Sequence, residues 1–506
     1  MIFSPLNTGV LVLYLVGMLA IGWRFAGRQR STEDFFLAGR QLPWPAVAMS
    51  MYASVTSAMT FLGLPGMAYS ANTAFIVVSF MSPVVAPILI GVFYPFYRRW
   101  RLTTSYEYIG LRFGPAARSA VSALFVLARV GWLGIVVYAP AMALSTVSTL
   151  PLWAAIVLMG GLATMYTWLG GLSAVVWTDV AQFIVMIGGA IALAILIPRE
   201  VPGGTAAILE TARAAGKLTG FSWSWDVGRM TGLTVMVSYF FVLMQDYGVD
   251  QVTVQRLLAV RTNRGLVCAI LFNALTDVIV IAMLLFIGLG LFAWTQAQPG
   301  LLPSGVTGDR VLPWFIVHRF PDGLSGLLIT AVLAAAMSSM DSGMNSISAV
   351  IVSDFVRPAH PTLSETAALR LARVLTLALG AFATGVAFWA SSIGGLVTAF
   401  LTIMGLFSAP VLALFLLGML DRRARFSGWA VGTVVAISLT LLAQRYDAMN
   451  EIFFFPFSFS TTYSIGWLLG RFGCAPSLRP GLTLWDRAAA PAEDDPASAR
   501  QTHVKK

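Results

Sequence analysis

The chain has 506 residues, 58% hydrophobic and 11% charged, with a mean hydropathy of +0.80; soluble domains hold roughly 45–50% apolar and 25% charged residues, so the composition is that of a polytopic membrane protein. Its two cysteines, Cys268 and Cys474, and three histidines, His318, His360 and His503, form neither a disulfide framework nor a metal-binding spacing, which leaves redox and zinc chemistry without support. The net charge of +10 sits in loops between apolar runs, which makes it a topology signal with lipid headgroups as its partner and argues against nucleic acid.

Apolar runs of about 20 residues, the length a helix needs to cross a bilayer, fall at 6–23, 44–70, 73–97, 119–149, 152–169, 174–197, 229–248, 264–295, 324–352, 370–392, 396–420, 427–443 and 452–470. When the loops are assigned to alternate sides, twenty-four Lys and Arg fall on one side, among them Arg256, Arg261 and Arg264, and seven on the other. The positive-inside rule makes the richer side cytoplasmic. The expectation is thirteen spans in the plasma (inner) membrane, with the N-terminus outside and the C-terminal tail in the cytoplasm. Arg24 and Arg28 follow the first span instead of preceding it, so it does not read as a cleaved signal peptide.

In chain order, the second span breaks its own pattern. Ser54, Thr56, Ser57 and Thr60 place four hydroxyls in mid-membrane, and Gly63, Pro65 and Gly66 follow. This reads as an interrupted helix of the kind that frees carbonyls at a transporter's central site, or as a kinked helix whose hydroxyls bond their own backbone. The fourth span carries Arg129, the one basic residue expected at membrane depth, with Trp132 one turn later; the arginine pairs either with a buried carboxylate or with an anionic substrate. Gly170 and Gly171 make a turn, and Asp179 follows within two helical turns, where it serves a functional site or complements the helix N-terminus. Two carboxylates and a glycine in the stretch 245–251 suggest a second discontinuity, with Asp246 deeper than Asp250, and Asp277 is a further buried carboxylate.

The stretch 331–348 has a spanning helix's length and an apolar start, but its middle holds Ser338, Ser339, Asp341, Ser342, Asn345 and Ser346. Ala335, Ser338, Ser339 and Ser342 recur at i, i+3, i+4 and i+7 and so share one helix face. Oxygen-bearing side chains at membrane depth suit a hard cation such as Na⁺, or they supply interhelical hydrogen bonds. Spans two to six and seven to eleven make two sets of five with opposite topology, each opening on a broken helix, which is the inverted-repeat plan of secondary transporters. The expected divisions are 1–43, an extra helix and loop; 44–197, the first repeat; 198–228, an external loop; 229–420, the second repeat; 421–470, two further helices; and 471–506, a disordered tail.

Ser57-Ala58-x-x-Phe61-x-Gly63, Gly170-Gly171-x-x-Ala174-Val175-x-x-Thr178-Asp179-x-x-Gln182, Tyr247-Gly248-x-Asp250-Gln251-x-x-x-Gln255-Arg256 and Ala335-x-x-Ser338-Ser339 together resemble the sodium:solute symporter family over about residues 6–470. The resemblance implies an all-α fold of about 13 transmembrane helices, a LeuT-like 5+5 inverted repeat with one N-terminal and two C-terminal helices. It implies no enzyme activity, and a function as a sodium-coupled importer of a small organic solute. It also implies a Na⁺ site from the carbonyls of Ala53, Thr56 and Ala335 and the hydroxyls of Ser338 and Ser339. Asp179 would stand beside that site, and Asp341 and Ser342 would mark a second cation position, where some members have a hydroxyl in place of Asp341.

By the same resemblance the solute cavity is lined by Ser57, Thr60, Phe75, Ser79, Trp132 and Phe240, with Asp246 at the inner gate. Sialic acid carriers have an arginine at the place of Trp132. Arg129 points to a carboxylate or other organic anion, and Asp246 to an amino group. A proton-coupled carrier, a sugar or amino-acid symporter, and a transporter-like sensor with a separate signalling partner are the alternatives.

Overall fold

The computed structural model describes residues 4–486 apart from 26, 28, 101, 149, 219–222, 230, 304, 391–400 and 473–480. Cys474, most of the expected tail, and the end of the tenth and start of the eleventh expected spans lie outside the described residues. The helices that position the site are α1 (Pro5–Phe25), α2 (Trp44–Val55), α3 (Ala58–Ser70), α4 (Ile76–Ile88), α5 (Pro115–Val147), α6 (Leu152–Glu200), α7 (Gly204–Ala214), α8 (Gly232–Gly248), α9 (Gln251–Leu258), α10 (Asn263–Ala297) and α11 (Leu324–Val350).

Among the described residues ten continuous helices are long and apolar enough to cross a membrane, and two bent pairs, α2 with α3 (58°) and α8 with α9 (46°), make two more spans. The 49-residue α6 would be about 74 Å long if straight, more than twice the ~30 Å hydrocarbon core. It is interrupted at Gly171, with φ 56° and ψ −156°, a conformation open only to glycine. The two arms of α6 are the fifth and sixth expected spans, and they complete the thirteen.

Both bends follow from local chemistry. Val55, Thr56 and Ser57 combine a β-branched pair with side chains that compete for backbone hydrogen bonds, and Thr56 (φ −82°, ψ 94°) and Ser57 (φ −85°, ψ 170°) are extended. In the second bend Gly248 ends α8, and Asp250 caps α9 by accepting from the Val252 N–H at 2.9 Å, as an N-cap aspartate does. Asp250 is 1% exposed and starts a new helix, at the second discontinuity suggested for 245–251. Next to it a short backbone bridge joins the two bent units: Leu42 N donates to Ala259 O (3.1 Å) and Arg261 N to Leu42 O (3.3 Å).

At the centre stands α11, in which every residue from Leu328 to Val350 is buried. Its N-terminus is capped from another helix, because Asn7 of α1 accepts from Gly323 N (2.7 Å), Gly326 N (2.9 Å) and Ser325 Oγ (3.1 Å). Its other end continues into a π-turn, Ile351–Val356. There Asp354 accepts from Arg118 (2.6 and 3.0 Å) and Ser122 (2.6 Å) of α5 and from Thr104 (2.9 Å). Asn7→Ala orphans the capped donors, so it is expected to lower stability by about 1–2 kcal/mol, seen as a fall in Tm of the detergent-purified protein.

The connection expected at 198–228 carries α7 and then Lys217. The Lys217 ammonium donates to the carbonyls of Tyr69 (2.7 Å) and Ala71 (2.9 Å), closing the C-terminal end of α3 with a positive charge. Burial pushes that ammonium below the usual lysine range.

Candidate ion and solute site

The break between α2 and α3 takes Ser57 and Ala58 out of the helical ladder and frees the carbonyls of Ala53 and Ser54. The hydroxyl face of α11 meets them. Ser338 Oγ donates to Ala53 O at 2.7 Å and lies 3.2 Å from Ala335 O, while Ser339 Oγ donates to Ser54 O at 3.0 Å and lies 3.4 Å from Ala335 O. Four of the five expected ion ligands, Ala53, Ala335, Ser338 and Ser339, therefore converge. Thr56 lies in the extended break itself and lines the adjoining cavity. Neutral carbonyl and hydroxyl oxygens in one cluster are the donor set a hard monovalent cation takes. Ser54 was absent from the expected set; the signal for it was its place one residue after Ala53 at the same break.

One turn along α11 the chemistry becomes ionic. Asp179 Oδ2 accepts from Ser50 Oγ (2.6 Å), Ser54 Oγ (3.3 Å) and Arg256 Nη2 (3.1 Å). Arg256 also donates through Nε to Ser50 Oγ (2.8 Å), through Nη1 to Val252 O (2.7 Å), and to Ser342 Oγ. Ser342 Oγ is 2.8 Å from Ser54 Oγ and 3.1 Å from Asp341 Oδ1. Asp179, Asp341 and Ser342 are thus brought together as expected, around a cation that was not. Arg256 had been assigned to a cytoplasmic loop beside Arg261 and Arg264, and the structure corrects this. It lies on α9 beyond the second bend, 1% exposed, because the break turns the helix back under α2. Arg129 is accordingly not alone among buried cations. Among the described residues, Asp179 Oδ1 and Asp341 Oδ2 are buried without a hydrogen-bond partner, acceptor capacity that suits a cation or a proton.

Beside the break lies a cavity of about 150 Å³, lined by Thr56, Ser57, Thr60, Phe75, Trp132 and Asp246 among others. Ser57, Thr60, Phe75, Trp132 and Asp246 were all expected there. Three expected residues are not in its wall. Ser79 donates its hydroxyl to Ile76 O of its own helix (2.6 Å), Phe240 stacks edge-on against Phe241 (5.3 Å), and Arg129 is held by Asp250. In that pair Nη2 and Nε lie 2.6 and 3.0 Å from Asp250 Oδ2, and Asp246 Oδ1 lies 3.9 Å from Nη2. Of the two readings of Arg129, the structure shows the carboxylate pair.

The wall adds Tyr52, Tyr239, Tyr247 and Asp277. Asp277 Oδ2 accepts from Ser82 Oγ (2.5 Å) and Tyr247 OH (3.3 Å). A periodic signal for this wall was available: Asp277, Val280, Ile281 and Leu284 on α10, and Tyr239, Val242, Leu243, Asp246 and Tyr247 on α8, are stripes at helical spacing.

Residues 35–436 match the sequence profile of the sodium:solute symporter family. The chain belongs to that family. Among its relatives, the sodium/sialic acid symporter SiaT of Proteus mirabilis is 33% identical over 459 residues, covering 90% of this chain and 92% of the relative. The human sodium-coupled monocarboxylate transporter 1 is 31% identical over 467 residues, covering 88% and 76% respectively. The structure of a Na⁺-coupled sialic acid symporter in a substrate-bound outward-open state superposes with a TM-score of 0.89 at 30% identity, over 94% of this chain and all of that one. A nucleobase-cation-symport-1 family transporter, Mhp1, shares the fold alone, with a TM-score of 0.55 at 14% identity. The fold is the LeuT-like one expected, and this symporter family consists of transporters, not enzymes.

Proposed function

We propose that this protein is a secondary active symporter that couples import of a small organic solute to Na⁺ by alternating access. The observation that carries the reading is the meeting of the Ser338 and Ser339 hydroxyls with the freed carbonyls of Ala53 and Ser54, one residue's length from the solute cavity. Na⁺ held by Ala53, Thr56, Ala335, Ser338 and Ser339 ties α2 to α11 and orders Ser57 and Thr60 at the cavity wall. Linkage then requires ion and solute to raise each other's affinity by the same factor, and a membrane potential of 100 mV contributes about 2.3 kcal/mol per charge moved. The pair of partnerless oxygens on Asp179 and Asp341 keeps a second cation or a coupled proton as a further reading, beside Arg256.

The orientation proposed is N-terminus outside and C-terminus cytoplasmic, in the plasma (inner) membrane. Removing Arg256 from the loop tally leaves the Lys and Arg asymmetry standing. The solute proposed carries a carboxylate, as the sialic acid and monocarboxylate relatives suggest. A cavity of about 150 Å³ is the size that accepts benzene and falls below the roughly 300–1,000 Å³ of drug-sized pockets, which favours a solute much smaller than a sialic acid.

The test is thermal unfolding of the detergent-purified chain at fixed pH. Tm is expected to rise with NaCl and not with equimolar KCl, following the stabilisation that a ligand of the folded state confers. A Tm indifferent to Na⁺ but responsive to pH would move the coupling role to the carboxylates.

A further inference from the structure

We infer that the solute is a small zwitterion, bound with its ammonium group at Asp246 and its carboxylate at Ser57 and the N-terminus of α3. This deepens the symport reading and rests on the same cavity. Among the described residues, the wall of that cavity contains two carboxylates, Asp246 and Asp277, and no Lys, Arg or His. An anion entering it would find two carboxyl groups and no cation in the wall to pair with, which is unfavourable.

The two carboxylates differ in what they already do. Asp277 is engaged by Ser82 and Tyr247. Asp246, half-buried at 15% exposure, has no hydrogen bond among the described residues; its nearest cation, Arg129, is 3.9 Å away and is drawn to Asp250 at 2.6 Å. Asp246 is thus an acceptor facing the cavity with its capacity unused. The same wall holds Phe75, Trp132, Tyr239 and Tyr247, rings whose faces attract a cation.

Another part of the same wall has the complementary chemistry. Ser57 is the N-cap of α3, yet its hydroxyl makes no capping bond; it is 1% exposed, has no hydrogen-bond partner among the described residues, and belongs to the cavity wall. The first backbone N–H groups of α3 are left uncapped there, next to Met59 and Thr60 in the same wall. A buried hydroxyl donor beside a helix N-terminus favours a carboxylate. A cavity whose wall holds both an unused carboxylate acceptor and unused donors matches a molecule with one charge of each sign.

The experiment compares matched compounds by thermal unfolding of the full chain in NaCl and in KCl. Choline and other amine salts are left out, since ammonium ions are ligands under this proposal. Each of proline, γ-aminobutyrate and β-alanine is paired with its counterpart lacking the amino group (tetrahydrofuran-2-carboxylate, butyrate, propionate) and with the amine lacking the carboxylate (pyrrolidine, propylamine, ethylamine). The expected result is a Tm rise with at least one zwitterion, larger in NaCl, that needs at least tenfold more of either truncated partner. Asp246→Asn removes the zwitterion response and keeps the response to Na⁺ alone, which also shows that the variant is folded; Asp277→Asn serves as a second variant.

Equal responses to the deaminated carboxylates would overturn the proposal. So would zwitterion binding that survives in Asp246→Asn, or silence towards every amino compound in protein that still responds to Na⁺. A zwitterion response without any Na⁺ response upholds this site and overturns the sodium reading instead.

Discussion

Replacing Ser338 with alanine is expected to raise the Na⁺ concentration for half-maximal thermal stabilisation by about tenfold or more while the protein stays folded. The substitution deletes the hydroxyl that lies 2.7 Å from Ala53 O and 3.2 Å from Ala335 O and leaves Ser339 in place. A tenfold change corresponds to about 1.4 kcal/mol, just under the roughly 1.5–3 kcal/mol attached to a hydrogen bond with a charged partner. Alanine suits the helix, and its neighbours across the interface are small, so the loss falls on the ion and spares the packing. A Na⁺ titration that coincides with wild type would remove the ion from this junction.

Arg256→Ala is expected to have the largest effect on stability. The guanidinium holds Asp179 at 3.1 Å with both side chains at most 1% exposed, and Asp341 lies in the same enclosure. Removing one partner of a buried pair leaves an uncompensated charge and costs about 3–5 kcal/mol. Combining Arg256→Gln with Asp179→Asn removes both charges and is expected to recover much of the Tm lost in either single variant. The double-mutant cycle measures that coupling, and strictly additive losses would mean that the two side chains do not stabilise one another.

What could be read from the residues, and what could not, divides along a physical line. Periodicity reveals which side chains share a face, so Ser338, Ser339 and Ser342 were legible as one surface, and hydropathy with loop charge gave the thirteen spans. The partner of a face is a matter of tertiary geometry. Arg256 was misplaced because it is close in sequence to Arg261 and Arg264, and counting along the chain has no term for a break that folds the next helix back into the protein. Arg129 was visible as a buried cation, but whether its charge faced solute or Asp250 depended on a bend at Val249 and Asp250. Ser79 and Phe240 had the right helices and the wrong faces. Asp277 was noticed singly, and its membership in the wall emerged only when the stripe through Leu284 was set beside the stripe through Tyr247.

The fastening of α11 at its two ends has a mechanical corollary. Asn7 grips one end through three donors, and Asp354 ties the other to Arg118 and Ser122 on α5 and to Thr104. Between these anchors lies the contact with α2, where Ser338, Ser339 and Ser342 meet Ala53 and Ser54. Under the symport reading proposed above, the doubly anchored α11 would be the fixed part, and the bent helix, extended at Thr56 and Ser57, the part free to move.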